Sequence, residues 1–419
     1  MAVDTPARIA VLGAGPIGLE AALYARYLGY EVDLYERGRA AENLLRWGHV
    51  RMFTPWRMNV TPLGAAALSA QDDAWQPPDD EAILTGRELA EAYFVPLAHS
   101  DLLVDGLHTG VEALSLGRQG LLKQDLVDEE IRIDAPFRIL LREAGGMERL
   151  ATADVVIDAT GTYGNPNWAG EAGIPALGEL AAADKIEYGL PDLLGAEREK
   201  YAGRRVLLVG AGYSAATNAV ALAASVPETQ TTWITRLQSG SLASDGPIAL
   251  VPDDRLPERD RLARAANALA AAGKPIMHWP ATAIESIEPL ADGGFRVMLS
   301  GQHAGEIEVD RIIANVGFRP DNRIYAELQV PECYASGGPM KLAAALAKAP
   351  SADCLAQTSA GPEALLNPEP DFYILGAKSY GRNSQFLLSK GHEQIRQLFS
   401  IIGDRADLDL YATARKMRP

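Results

Sequence analysis

The sequence predicts an α/β fold in which a strand–glycine turn–helix unit occurs twice. Two stretches carry this expectation. Ile9-Ala10-Val11-Leu12 feeds Gly13-Ala14-Gly15-Pro16-Ile17-Gly18, then a helical pattern, then a second apolar run that ends in Glu36. Arg204-Arg205-Val206-Leu207-Leu208-Val209 feeds Gly210-Ala211-Gly212-Tyr213-Ser214-Ala215 in the same way. Gly-x-Gly-x-x-Gly between a strand and a helix, with an acid 36 − 13 = 23 residues on, matches the ~20-residue spacing of a dinucleotide fingerprint. Gly13 permits the tight turn, Gly15 admits a pyrophosphate, and Gly18 lets helix and strand pack closely. The helix start, at Pro16 and Ile17, offers N–H groups and partial positive charge to phosphates. Glu36 accepts hydrogen bonds from ribose hydroxyls and repels a 2′-phosphate. A ligand-free glycine turn is the alternative, and the strand, helix and acid in register weigh against it.

Composition bounds the rest. A chain of 419 residues suggests two or three domains at ~150 residues each. It is 47% hydrophobic and 22% charged, as ordinary globular proteins are. The net charge of −16 argues against nucleic acid or an anionic membrane as partner. Cys333 and Cys354 lie 354 − 333 = 21 apart, so they form no C-x-x-C pair and no zinc site, and no metal is expected. Two cysteines suit a reducing cytoplasm. Cys354 is either a reactive thiol or a buried one. The opening apolar run lacks a basic flank and is broken by glycines, so it is not read as a signal peptide. No apolar stretch is long enough to span a bilayer.

The elements follow in order. Trp47-Gly48-His49-Val50-Arg51-Met52-Phe53-Thr54-Pro55-Trp56 mixes aromatics, a histidine and an arginine after the first nucleotide strand. Residues 64–80 read as surface helix and loop. Thr85 is a candidate N-cap, with Glu88 three residues on. Within 102–142, Ile131-Arg132-Ile133 and Phe137-Arg138-Ile139-Leu140-Leu141 read as strands of a small antiparallel sheet. Asp154-Val155-Val156-Ile157-Asp158-Ala159-Thr160-Gly161 is a buried strand ending in small residues.

The strand of the second unit that corresponds to the one ending in Glu36 ends in Arg236. An arginine there pairs with a 2′-phosphate or is merely a solvated strand end; the first reading makes the second cofactor NADP. Residues 238–260 are rich in Gly, Ser, Asp and Pro and read as a loop. Leu262 to Ala272 reads as a helix and 283–310 as strands. Asp310 to Pro320 mirrors the Asp154 strand. Met340 to Lys348 is a helix in a loop-rich excursion. Asp371 to Leu375 is a strand entering Gly376-Ala377-Lys378-Ser379-Tyr380-Gly381-Arg382-Asn383-Ser384, and a helix is expected from about Gln385, capped by Asn383 or Ser384.

With these residues in view, the chain resembles the flavoproteins that carry two dinucleotide-binding domains. The resemblance rests on Gly13/Gly15/Gly18/Glu36, Asp158-Ala159-Thr160-Gly161, Gly210/Gly212/Ala215 and the Gly317 segment. It implies two Rossmann-like domains, with an NADP domain at 186–308 inserted in an FAD domain split between 1–185 and 309–419. Without C-x-x-C, and with Gly376-Ala377 where the disulfide reductases end in Gly-Asp, it looks more like the class B flavin monooxygenases. Their F-x-G-x-x-x-H motif is replaced by Ile186-Glu187-Tyr188-Gly189-Leu190-Pro191-Asp192-Leu193-Leu194-Gly195, which has no histidine. Trp47 to Arg51, Tyr188 to Asp192 and Gly376 to Arg382 look closer to a poorly characterised group of FAD-dependent oxidoreductases, some of which occur with arsenic-resistance genes.

The resemblance implies an enzyme that passes hydride from NADPH to FAD and oxidises a small molecule. The cofactor-binding residues are then Gly13, Gly15, Pro16, Ile17, Gly18, Glu36, Arg37, Trp47, Arg51, Thr160, Gly161, Gly376, Lys378, Ser384, Gln385 and Phe386 for FAD. Gly210, Gly212, Tyr213, Ser214, Ala215 and Arg236 serve NADP. Arg51 and His49 are the candidate catalytic residues, as a cation beside the flavin and a proton carrier; a loop salt bridge and a structural histidine are the alternatives. A reductase that passes electrons to a partner protein and a non-catalytic redox sensor remain the alternative functions.

Overall fold

The structure is a computed structural model, and it describes residues 3–225, 228–236, 246–348, 353–356 and 360–417. Its strands in chain order are β1 (Arg8–Leu12), β2 (Glu31–Glu36), β3 (Leu107–Thr109), β4 (Val111–Arg118), β5 (Phe137–Glu143), β6 (Glu148–Ala153) and β7 (Val155–Asp158). They continue as β8 (Arg205–Val209), β9 (Gln230–Ile234), β10 (Ile276–Trp279), β11 (Thr282–Pro289), β12 (Phe295–Gly301), β13 (Gly305–Val309), β14 (Arg311–Ala314) and β15 (Phe372–Ile374). The chain divides into two units, Met1–Asn165 with Arg319–Pro419, and Pro166–Phe318.

In the first unit a parallel sheet runs β15-β7-β1-β2-β3, the Rossmann order with its switch point between β1 and β7. Side chains alternate across each strand, and both faces are covered. Ile9, Val11, Leu34, Val155 and Ile157 pack towards helices Pro16–Tyr27 and Leu388–Ile402. Ala10, Leu12, Val156, Phe372 and Ile374 pack on the other side with Leu116, Phe137, Ile139 and Leu141 of the antiparallel sheet β4-β5-β6. Each such valine, leucine, isoleucine or phenylalanine side chain contributes about 1.5–3 kcal/mol of burial free energy.

Two expectations are corrected in this unit. Ile131-Arg132-Ile133 is not a strand but part of a 3₁₀ turn, Glu130–Asp134. Arg132 is fully buried there and donates to Glu369 Oε2 (2.9 Å), while Arg118 donates to Glu369 Oε1 (2.8 Å). A buried charge must be paired, and the turn is what brings Arg132 to its carboxylate. The helix read as a surface element near Gly64 begins at Pro62 and buries Leu63, Ala65, Ala67 and Leu68. Thr85 and Glu88 do form a reciprocal capping box.

The second unit repeats the arrangement as β10-β9-β8-β14, all parallel, with the antiparallel sheet β11-β12-β13. The duplication extends to the anchors. Asp154 Oδ2 accepts from the Arg8 N–H at the start of β1 (2.8 Å), and Asp310 Oδ2 accepts from the Arg205 N–H at the start of β8 (2.7 Å).

The unit begins at Pro166 rather than 186. Buried Glu179 accepts from the N–H groups of Ala169 (2.8 Å), Gly170 (3.2 Å) and Ala176 (2.8 Å) and from the Tyr188 hydroxyl (2.7 Å). Gly170 and Leu177 also bridge to β11. It ends at Phe318 rather than 308 because β14 pairs with β8. Of the expected loop 238–260, residues 238–245 lie outside the described residues, and its last part already belongs to helix Pro257–Ala272. Among the described residues no helix is long and apolar enough to cross a membrane.

Candidate functional site

The first glycine turn follows β1. The Gly13 N–H donates to Tyr35 O of β2 (2.7 Å), and Gly13 has φ +94°. A Cβ at Gly13 would lie 2.8 Å from Ala159 O, and one at Gly18 would overlap the Gly13 carbonyl. A Cβ at Gly15 would meet nothing within 4 Å, so this side of the turn is open. Gly15 is the extended N-cap of helix Pro16–Tyr27, with Pro16 in the first position, where no N–H is needed. The first-turn N–H groups of such a helix lack intrahelical acceptors.

Glu36 ends β2 as expected. Its Oε2 accepts from the Ala14 N–H (2.9 Å) and its Oε1 from the Gly38 N–H (2.8 Å), so the acid sits against the glycine turn. Arg37 extends over Gly164, where a Cβ would come within 2.6 Å of its guanidinium. A cleft of about 530 Å³ opens here, lined by Glu36, Arg37, Arg39, Glu42, Asn43 and Arg46.

Trp47 follows the short helix Glu42–Arg46, with its ring against Gly86 and 6.5 Å from Tyr163. Its indole Nε1 is buried and has no hydrogen-bond partner among the described residues. The segment onwards to Met52 is held by backbone bonds from Gly86 N to Val50 O (2.9 Å) and from Met52 N to Leu84 O (2.8 Å). His49 is half-buried on it. Arg51 is exposed and donates to Ile83 O (3.2 Å). Its guanidinium thus bonds a neutral carbonyl.

Thr160 and Lys378 meet behind the glycine turn. Lys378 is buried, and its Nζ donates to Asp158 Oδ2 (2.6 Å) and Thr160 Oγ1 (3.0 Å). Thr160 Oγ1 donates in turn to Asp158 Oδ1 (2.7 Å). Lys378 thus neutralises a buried carboxylate instead of presenting a free ammonium at a surface. Gly161, with φ +69°, is open. The Gly376 N–H donates to Gln394 Oε1 (2.9 Å), and Gln394 Nε2 donates to Ser379 Oγ (2.9 Å).

Asp158, which the sequence offered only as part of a motif, and Gln394, which it did not single out, hold Lys378 and Gly376 in place. The signal for Asp158 was an acid at the end of an otherwise apolar strand. The final helix starts at Leu388, with Leu387 as N-cap, and not at Gln385. Asn383 Oδ1 accepts from the Gln385 N–H (2.9 Å) in a local turn that delays the helix. Ser384 is exposed, and Phe386 packs edge-on to Tyr380 at 5.2 Å.

The second turn mirrors the first. Gly210, at φ +129°, donates its N–H to Ile234 O of β9 (3.2 Å), and a Cβ on it would overlap the Asn315 carbonyl. A Cβ at Gly212 would meet nothing within 4 Å, and helix Tyr213–Ser225 follows. Tyr213 and Ser214 are half-buried at its start, while Ala215 is buried where the first unit has Gly18. The Trp233 indole donates to Gly210 O (2.8 Å). Asn315 Nδ2 donates to Gly189 O (2.7 Å), and Asn218 Nδ2 to Asn315 Oδ1 (2.7 Å), which fixes the Tyr188–Asp192 segment beside the turn. Arg236 is exposed two residues beyond β9.

No protein-family model matches the chain, and no curated protein matches it. Solved structures do. The bacillithiol disulfide reductase Bdr from Bacillus cereus is 18% identical over 95% of this chain and 99% of its own, with a TM-score of 0.65. The ornithine N-hydroxylase of Kutzneria sp. 744, solved with reduced FAD, NADP+ and L-ornithine, is 15% identical over 95% and 99%, with a TM-score of 0.62. The cadaverine monooxygenase DfoA of Erwinia amylovora, solved with FAD, is 13% identical over 96% and 95%, with a TM-score of 0.62. At these identities the likeness is one of fold, and the fold it shows is the mixed α/β one with two Rossmann-like units that the sequence predicts.

Proposed function

We propose that the chain is an FAD-dependent oxidoreductase that takes hydride from NADPH and acts as a flavin monooxygenase on a small molecule. The observation that carries this reading is the unequal chemistry at two matching strand ends. β2 ends in the carboxylate of Glu36, which suits ribose hydroxyls, and β9 leads to the guanidinium of Arg236, which suits a 2′-phosphate.

The residues fit both groups. Gly15 and Gly212 leave open backbone where a pyrophosphate approaches, and the buried Trp47 N–H, without a partner among the described residues, offers a donor in the first unit. When bound, FAD supplies hydride acceptance and oxygen chemistry. Gly13, Gly15, Pro16, Ile17 and Gly18 bind its pyrophosphate; Glu36 and Arg37 take its adenosine end. Trp47, Thr160, Gly161 and Gly376 border the remainder, with Ser384, Gln385 and Phe386 ahead of the Leu388 helix. Lys378 acts indirectly, by holding Asp158 and Thr160 behind the turn. Gly210, Gly212, Tyr213, Ser214, Ala215 and Arg236 bind NADP. Exposed Arg51 offsets developing negative charge, and His49 moves a proton.

The solved N-hydroxylase with FAD and NADP+ supports the cofactor pair. The lack of a C-x-x-C pair favours oxygen over disulfide chemistry, although disulfide reductases share the fold. A soluble protein acting on a small molecule in the cytoplasm fits the charge and cysteine usage. The test is steady-state turnover of the purified protein with added FAD, in an oxygen electrode. NADPH-driven oxygen uptake is expected. Flavin reduction without oxygen uptake would point to the reductase, and no turnover at all to the sensor.

A further inference from the structure

We propose that the Trp279–His303 pair at the edge of the second unit is the platform on which the adenine ring of the dinucleotide stacks. This deepens the reading of that unit as an NADP domain and rests on it. β10 ends at Trp279, which lies beside Ile234 in the parallel register of β10 and β9. The two strand ends stay joined past the ladder: the Thr235 N–H donates to Trp279 O (3.2 Å) and the Thr282 N–H to Thr235 O (3.0 Å).

Side chains alternate across a strand. Trp233 and Thr235 therefore share one face with His278, and the contacts agree, with Thr235 Oγ1 3.0 Å from His278 Nε2 and the Trp233 and His278 rings 5.3 Å apart. Ile234 shares the other face with Trp279, in the same apolar cluster. Arg236, two residues on from Ile234, is exposed just past the end of β9. His303, in the turn between β12 and β13, lies on Trp279 with ring centroids 4.9 Å apart and planes 6° from parallel.

Ligands of open α/β sheets bind beyond the carboxyl ends of the strands. At this edge an exposed imidazole stacked on a half-buried indole flanks the strand whose end reads the ribose. A flat aromatic pair matches a purine, and the exposed guanidinium just past the end of β9 matches the phosphate on its ribose. His278, on the opposite face, is not that phosphate's partner: burial, helped by His303, pushes its pKa down to about 4, so it remains neutral at physiological pH. The recognised group is therefore an adenosine 2′-phosphate, with its base on His303 and Trp279.

The test uses the full-length holoprotein and two probes. Adenosine 2′,5′-bisphosphate, followed by calorimetry, reports the adenosine half. Reduced nicotinamide mononucleotide, followed by anaerobic bleaching of the flavin, reports the other half. His303→Ala changes an exposed turn residue. It should weaken the bisphosphate about tenfold, as loss of a base–aromatic stack does, and leave the mononucleotide rate unchanged. Trp279→Phe keeps a ring and should retain most of the affinity. Bisphosphate binding by His303→Ala equal to wild type would overturn the platform and leave the NADP reading intact. Equal losses with both probes would also overturn it, since the effect would then not be local to adenine. No bisphosphate binding by the wild type would remove the NADP reading itself, and the platform with it.

Discussion

Glu20 offers a quantitative test of the first unit's interior. It lies on helix Pro16–Tyr27, two residues after Gly18, and is fully buried. No cation faces it among its described partners. The Tyr93 hydroxyl donates to Oε1 and the Thr61 hydroxyl to Oε2 (2.8 Å). Buried Tyr411, from the C-terminal helix, adds a further phenol nearby. Burial pushes the Glu20 pKa up from 4.5 to about 7, against the pull of the two hydroxyls.

A carboxyl with a raised folded-state pKa contributes its stability fully below the unfolded value and loses it as pH climbs through the folded one. The window is thus pH 4.5 to about 7. At 1.36 kcal/mol per pKa unit, this one group withdraws about 3 kcal/mol across it. Glu20→Gln cannot ionise and removes that slope. Urea unfolding of both proteins from pH 4.5 to 8 should show the variant gaining about 3 kcal/mol on the wild type as pH rises. All other titrating groups cancel in the difference. A difference between the two that stays flat across the range would refute the reasoning.

Three further outcomes follow from packing. Gly18→Ala drives a Cβ into the Gly13 carbonyl; it should lower stability by about 1–3 kcal/mol and weaken retention of FAD, read by thermal unfolding and by the flavin absorbance after desalting. Lys378→Met leaves Asp158 buried without its counter-ion and should cost about 3–5 kcal/mol in urea unfolding, most of it recovered when Asp158→Asn is added. Tyr411→Phe removes a buried hydroxyl that has no hydrogen-bond partner among the described residues, so its melting temperature should equal or exceed that of the wild type.

The glycine turns were legible because their chemistry is local. Gly13 and Gly210 need positive φ, and Gly18 needs contact with a carbonyl five residues away. Glu36 was legible for the same reason, at a fixed spacing from the turn it touches. What escaped was long-range pairing. Arg132 looked like a strand residue, but its partner Glu369 lies 237 residues on. Lys378 was read as a residue of the FAD site, and its lock onto Asp158, 220 residues away, was not legible. The start of the second unit was misplaced because Glu179 gathers four donors around a stretch with little periodicity of its own. The late start of the Leu388 helix came from Asn383 accepting from the backbone N–H two residues on, a choice between two local structures that propensity does not decide.

The central claim is that the first unit holds FAD and the second delivers hydride from NADPH. Its most direct test is anaerobic stopped-flow absorbance of the FAD-loaded protein, mixed separately with NADPH and NADH. The account predicts flavin bleaching at least about tenfold faster with NADPH at limiting concentration, and loss of that preference in Arg236→Ala, as removal of a charge-assisted contact implies. Equal rates with the two nucleotides, or a protein that takes up no FAD, would contradict it.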